Sequence, residues 1–180
     1  MALVEFKNLP DTSTPLNAQN LNNNFELLSN QIALLSNQMT ITCSDTSITT
    51  TLDQKREDIP LDTVLASVGD KLTLNTANNK YEIKIGSGVS YVSVSAGYSA
   101  NQTTSGATYI ALTILKNGSQ YGKWANAKGN PSNPNVYLYT SMSDILIPVQ
   151  QGDAIALAIF IRVAGTVSIT NPYLSVKVVA

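Results

Sequence analysis

Apolar side chains recur at alternating spacings of three and four along residues 17–41: Ala18, Leu21, Phe25, Leu28, Ile32, Leu35 and Met39. This is an a/d heptad seam, with Ala18, Phe25, Ile32 and Met39 at a and Leu21, Leu28 and Leu35 at d, and it predicts a coiled-coil helix over 17–41. About three heptads are marginal in water, so such a seam needs an attached assembled domain to hold it. Ile at a with Leu at d leans toward two strands, and the seam alone does not set the stoichiometry. The competing reading is an amphipathic helix packed on its own domain, and the further apolar positions Leu27, Leu34 and Ile41 speak for that or for an additional docking surface.

Beyond residue 70 the period changes from helical to two. Short β-type runs at 71–74, 81–85, 89–96, 108–116, 119–124, 136–140, 144–149, 153–163, 166–170 and 173–179 are separated by turn residues, the pattern of a sandwich or barrel. Asn117-Gly118 between two runs predicts a two-residue hairpin, because a type I′ turn needs positive φ at both central positions. Asn78-Asn79, Ala164-Gly165 and Asn171-Pro172 read as similar punctuation. Two runs are apolar on both faces. Ile155, Leu157, Ile159, Ile161 and Val163 oppose Ala154, Ala156, Ala158 and Phe160, and Ile110, Leu112 and Ile114 oppose Tyr109, Ala111, Thr113 and Leu115. One face of each enters the core; the other predicts a subunit interface through Tyr109, Ala111, Ala156, Ala158 and Phe160.

The organisation expected is therefore an extended segment over 1–16, held non-helical by Pro10 and Pro15, a coiled-coil helix over 17–41, a Ser/Thr-rich and then charged neck over 42–70, and a β head over 71–180. Charged residues make up only 13% of the 180, against roughly 25% in typical globular chains. Eleven basic and twelve acidic residues leave a net charge of −1, so no field gathers nucleic acid or an anionic membrane. No window reaches the ~18 apolar residues of a membrane span, and the first residues do not read as a signal peptide. One cysteine, Cys43, cannot form an internal disulfide, which fits assembly in a reducing cytoplasm.

Histidine is absent, and with it the usual general base near neutral pH, the Ser-His and Cys-His pairs and the commonest zinc ligand. Gly86-Ser87-Gly88 lacks the remainder of a phosphate loop and reads as a turn. The head carries three acids, Glu82, Asp144 and Asp153, a thin supply for two-carboxylate glycan hydrolysis. No catalytic residue, cofactor or metal is expected. Two polar loops, 97–107 and 125–135, stand beside aromatics, and Tyr98, Asn101, Tyr121, Trp124, Asn130 and Asn133 are candidates for stacking on and hydrogen bonding to a sugar. The alternative for Tyr121 and Trp124 is that they fill the core or a subunit interface.

The stretch Leu9-Pro10-Asp11-Thr12-Ser13-Thr14-Pro15-Leu16-Asn17-Ala18-Gln19-Asn20-Leu21-Asn22 resembles a motif near the start of phage fibre, baseplate and appendage proteins. The resemblance implies attachment to the particle through Pro10, Thr14, Pro15, Leu16, Asn17 and Leu21. The head from Leu72 resembles the trimeric jelly rolls of the tumour-necrosis-factor and complement-head superfamily, through Leu115-Lys116-Asn117-Gly118, Ile147-Pro148-Val149-Gln150-Gln151-Gly152-Asp153 and the closing run Leu174-Ser175-Val176-Lys177-Val178. Together with the heptad seam, the two resemblances imply a mainly β homotrimer, a jelly-roll head on a coiled-coil stalk, serving as a virion head or tail fibre that adheres to a host surface glycan. A decoration or collar protein without its own ligand is the rival, and a polysaccharide depolymerase comes third. The partners implied are two further copies, other virion proteins at the N-terminus and the host glycan.

Overall fold

The structure, a computed structural model, describes residues 18–51, 55–102, 109–128, 138–162 and 165–180. The chain divides after Ala33. All but the last two residues of helix α1, Ala18–Leu35, lie on the first side, and its apolar stripe Leu21, Phe25, Leu28 and Ile32 is exposed.

Leu34–Ala180 forms a sandwich of two antiparallel sheets. Sheet 1 contains β1 (Gln38–Thr42), β2 (Thr46–Thr50), β4 (Thr63–Val68), β7 (Tyr91–Gln102), β10 (Leu138–Pro148) and β12 (Gly165–Val178), in the order β10-β7-β12-β1-β4 with β2 also on β12. Sheet 2 contains β3 (Lys55–Asp58), β5 (Leu72–Asn75), β6 (Glu82–Ile85), β8 (Tyr109–Lys116), β9 (Ser119–Lys128) and β11 (Ala154–Ile161), in the order β5-β6-β11-β8-β9 with β3 also on β11. The chain is mainly β, and the fold is a jelly-roll sandwich. Alternate side chains of both sheets fill one core: Val92, Val94, Leu174 and Val176 from sheet 1 meet Ile110, Leu112, Ile155, Leu157 and Ile159 from sheet 2.

Three expectations need correcting. The helix ends at Leu35, and Met39 and Ile41 belong to β1, buried in the core rather than on a coiled-coil seam. The run Gln38-Met39-Thr40-Ile41-Thr42 alternates polar and apolar and ends in β-branched residues, which favour a pleated strand over another helical turn. Segment 42–70 is no neck. It supplies β2, β3 and β4, and Ile59 and Leu61 are fully buried, with the Ile59 N–H bonded to the Leu157 carbonyl at 3.0 Å. The Ser/Thr tract is paired: Thr40 Oγ1 donates to Ser175 Oγ at 2.9 Å, and Thr49 and Thr166 share a hydroxyl bond of 2.9 Å. Two predicted breaks are also bulges inside long strands. Asn171 (φ 51°), before Pro172, interrupts the register of β12, and Asp144 (φ 54°) that of β10, without ending either strand.

The Asn117-Gly118 hairpin is present, with φ of 53° and 74°. It is tied to the turn before β11. Asp153 accepts bonds from Asn117 Nδ2 at 2.7 Å and the Gln150 N–H at 2.9 Å and pairs with Lys116 Nζ at 3.0 Å, while the Ala154 N–H donates to Asn117 Oδ1 at 2.8 Å. Burial alone would raise the Asp153 carboxyl, but the bonds from Asn117 and Gln150 and the Lys116 ammonium outweigh it and hold it below the usual carboxylate range. A depressed carboxylate contributes stability that is intact above its unfolded value of about 3.9 and is lost as pH falls through the lower folded value. Acid titration of unfolding should therefore show stability falling below about pH 4. Asp153→Asn should flatten that limb and cost roughly 1–3 kcal/mol at pH 7, measured by urea unfolding.

Candidate functional site

The residues predicted to act fall in different parts of the chain. Pro10, Thr14, Pro15, Leu16 and Asn17 lie outside the described residues, as do Asn130 and Asn133. The side chains of Leu35, Tyr109 and Trp124 are likewise outside them. Leu21, Phe25, Leu28 and Ile32 share the exposed stripe of α1, from which Met39 is excluded.

The proposed interface on β8 and β11 is not a free surface. Ala111 and Ala158 are fully buried and Ala156 nearly so, and Leu115, Ala156 and Ala158 make a second small apolar cluster within the chain. β11 runs between β8 on one side and β6 and β3 on the other, and Ala156 lies in register with Leu115 and with the buried Glu82. Small side chains flanked by strands on both sides are closed off by their neighbours, leaving little area to give a partner. Phe160 is half-buried.

The ligand candidates also separate. Tyr98 points into the core, 4% exposed, and Tyr121 packs against the core from its edge. Asn101 is half-buried on the opposite, outward face of β7. That outward face of sheet 1 is where the large exposed side chains of the sandwich collect: Tyr91 on β7, Tyr139 and Leu146 on β10, Tyr173 on β12 and Val68 on β4, while Val64, in register with the buried Ile41, and Leu65, at the bulge between β1 and β4, are exposed at the sheet's edge. Tyr139, 79% exposed, is the cross-strand partner of Ser99, and Tyr173 is the partner of Gly97. The two rings thus flank β7 at successive outward positions. A side chain at residue 97 would meet the Tyr173 Cε1 at 2.9 Å and the Thr140 carbonyl at 3.1 Å, so glycine is what lets the ring lie down on the strand.

Between the tyrosines the face is hydroxylic, with Ser93, Ser95 and Ser99 of β7 beside Ser168, Thr170 and Ser175 of β12. Lys177 and Asp144 are its charged side chains among the described residues, and both stand at the level of Ser93 and Ser95. The far half, around Gly97 to Asn101, is uncharged. There, among the described residues, Ser99 Oγ and Asn101 Oδ1 are buried atoms without a hydrogen-bond partner, as is the Tyr98 hydroxyl on the core side. Buried polar atoms normally find partners, which sets this pair apart from the rest of the face. One sequence signal pointed here: an aromatic on the polar phase of an alternating strand, as in Tyr139-Thr140-Ser141 and Tyr91-Val92-Ser93.

Titratable groups elsewhere serve the fold. Burial, with Asp62 and Asp45 nearby, pushes the half-buried Cys43 thiol up to about 11, away from nucleophilic use at neutral pH. Asp58 is raised by burial and by Glu57 and Glu82, against the lowering effect of Arg56. Glu82 is occupied by Asn75 Nδ2 at 2.8 Å and Lys84 Nζ at 3.1 Å. Among the described residues no three His, Cys, Asp or Glu side chains converge as a metal site.

No family model matches the chain, and no curated protein matches it. Solved structures do match in shape. The Eiger TNF of S. frugiperda superposes with a TM-score of 0.59 at 9% identity, over 81% of this chain and 92% of its own. Murine APRIL gives 0.54 at 9% identity, over 80% and 99%. The vertex protein P5 of PRD1 gives 0.50 at 14% identity, over 81% and 74%. At these identities the likeness establishes the fold alone, a jelly roll of the tumour-necrosis-factor type.

Burial holds the Tyr98 phenol well above its ordinary range and leaves its hydroxyl unbonded. Tyr98→Phe should therefore leave stability unchanged or raise it by up to about 1 kcal/mol in thermal unfolding. A clear loss of stability would mean the hydroxyl has a partner.

Proposed function

We propose that the chain is a non-enzymatic virion appendage of a phage, a head or tail fibre that assembles as a homotrimer and presents its jelly roll to a host surface glycan. The observation that carries the reading is the outward face of sheet 1: tyrosine-rich, nearly uncharged, and left uncovered by the chain's own fold. Apolar area of this kind, rimmed by polar hydroxyls, is typical of a surface meant for a protein partner. Three copies facing one another through sheet 1 remove the tyrosines from water and bring polar groups up to Ser99 and Asn101.

The exposed stripe of α1 supports the same assembly, since Leu21, Phe25, Leu28 and Ile32 fit a short coiled-coil seam once a trimeric head holds three helices together. The phage-appendage motif ahead of and within the first turns of α1 supports particle attachment at that end. The shape likeness to a phage vertex protein is consistent with it. Adhesion then acts through avidity, three weak heads per stalk multiplying the effective concentration of each. The loops at 103–108 and 129–137 lie outside the described residues, and the glycan contact is assigned to them from the sequence alone.

Light scattering on the full chain and on residues 34–180 tests the assembly. Both should weigh three chains, because the interface proposed lies within the sandwich. A folded 34–180 that is monomeric at micromolar concentration would contradict it. Labelled trimer should also bind host cells and be displaced by their wall polysaccharide; failure to bind while still loading onto particles would leave a decoration protein.

A further inference from the structure

Strand β4 is unusual for an edge. It hydrogen-bonds to β1 on one side and ends sheet 1 on the other, and all six of its residues are exposed. Its sequence, Thr-Val-Leu-Ala-Ser-Val, carries no charge and no proline, the devices that commonly protect an open edge from unwanted pairing. A register shift between Thr40 and Ile41 leaves Leu65 opposite no residue of β1, and this side chain is 69% exposed, with Val64 and Val68 beside it. An apolar strand of this kind is built to be covered.

The cover is indicated by the other end of the same sheet. β10 is paired with β7 alone within sheet 1 and exposes Tyr139 and Leu146. Each chain thus exposes apolar side chains at both ends of the path β10-β7-β12-β1-β4, and within one copy β7, β12 and β1 stand between them. A two-fold pairing of β4 with β4 would leave every β10 patch open. A head-to-tail contact covers both with one repeated interface, and such contacts close into a ring when the rotation permits.

We infer that β4 is a docking strand for a second copy of this chain, its Val64, Leu65 and Val68 packing against the β10 edge of the next copy at Leu146 and Tyr139. The inference rests on the trimer proposed above and adds to it the strands that meet: every interface has a β4 side and a β10 side.

Charge exchange in the full-length protein tests this. Leu65→Lys and Leu146→Asp each place a charge at an exposed position of a folded chain, so far-UV circular dichroism should be unchanged; if Leu65→Lys disturbs it, Val68→Lys replaces it. Light scattering should show each single variant falling from three chains toward one, with at least a tenfold weaker assembly. The double variant should return to three chains, because the lysine of one copy meets the aspartate of the next. Single variants that remain trimers, or a double variant that stays dissociated, would overturn the contact between β4 and β10 while leaving the trimer standing. An unsubstituted protein that is monomeric would instead overturn the trimer itself.

Discussion

The long antiparallel pairing of β7 with β12 decides which side chains face in and which face out across the centre of sheet 1. Strand period makes this binary. With Val92, Val94 and Ala96 of β7 and Leu174, Val176 and Val178 of β12 committed to the core, Tyr91, Ser95, Gly97, Ser99, Tyr173 and Ser175 have only the outside to occupy. A slip of one residue would bury the serines and expose the valines, so the pairing is strongly specified. The bulge at Asn171-Pro172 keeps the phase on both sides of a turn-like dipeptide, and Gly97 allows Tyr173 to lie over the neighbouring strand. The outward face is thus a by-product of core packing that has acquired a composition of its own.

Much of the sandwich was legible because period-two alternation and turn chemistry are local. Asn117-Gly118 gives its hairpin in the sequence, since few other residues accept positive φ twice. What misled were places where two patterns overlap. Met39 satisfies both the heptad and the strand alternation, and only the β-branched Thr40-Ile41-Thr42 tips the segment to β1. The Ser/Thr tract at 40–51 looks like a linker by composition, but its hydroxyls pair across strands with Ser168, Thr166 and Ser175, a relation spanning more than a hundred residues that no local window contains.

The outer faces of β8 and β11 read as open in the sequence for a related reason. A strand apolar on both faces, such as β11, can be covered from outside or closed by its own neighbours, and sequence does not show how many strands flank it. Here Ala156 and Ala158 are too small to rise above Leu115, Thr113 and Glu82 alongside. The face left open is instead one whose outward positions read as polar, apart from isolated tyrosines. Hydrophobic-run reasoning passes over such a surface, because each tyrosine is single along the strand and they meet only across it. In assembly terms the polar background is useful: hydroxyls such as Ser99 can bond across a contact that tyrosine rings keep dry, giving register as well as area.

If sheet 1 is the face on which copies meet, its tyrosines are hidden in the assembled protein although the single chain exposes them. Tyrosine nitration followed by peptide mass spectrometry reads this residue by residue. The account predicts Tyr139 and Tyr173 protected in the native full-length protein and modified readily once it is unfolded. Nitration of Tyr139 in the native protein as fast as in the unfolded chain would contradict it.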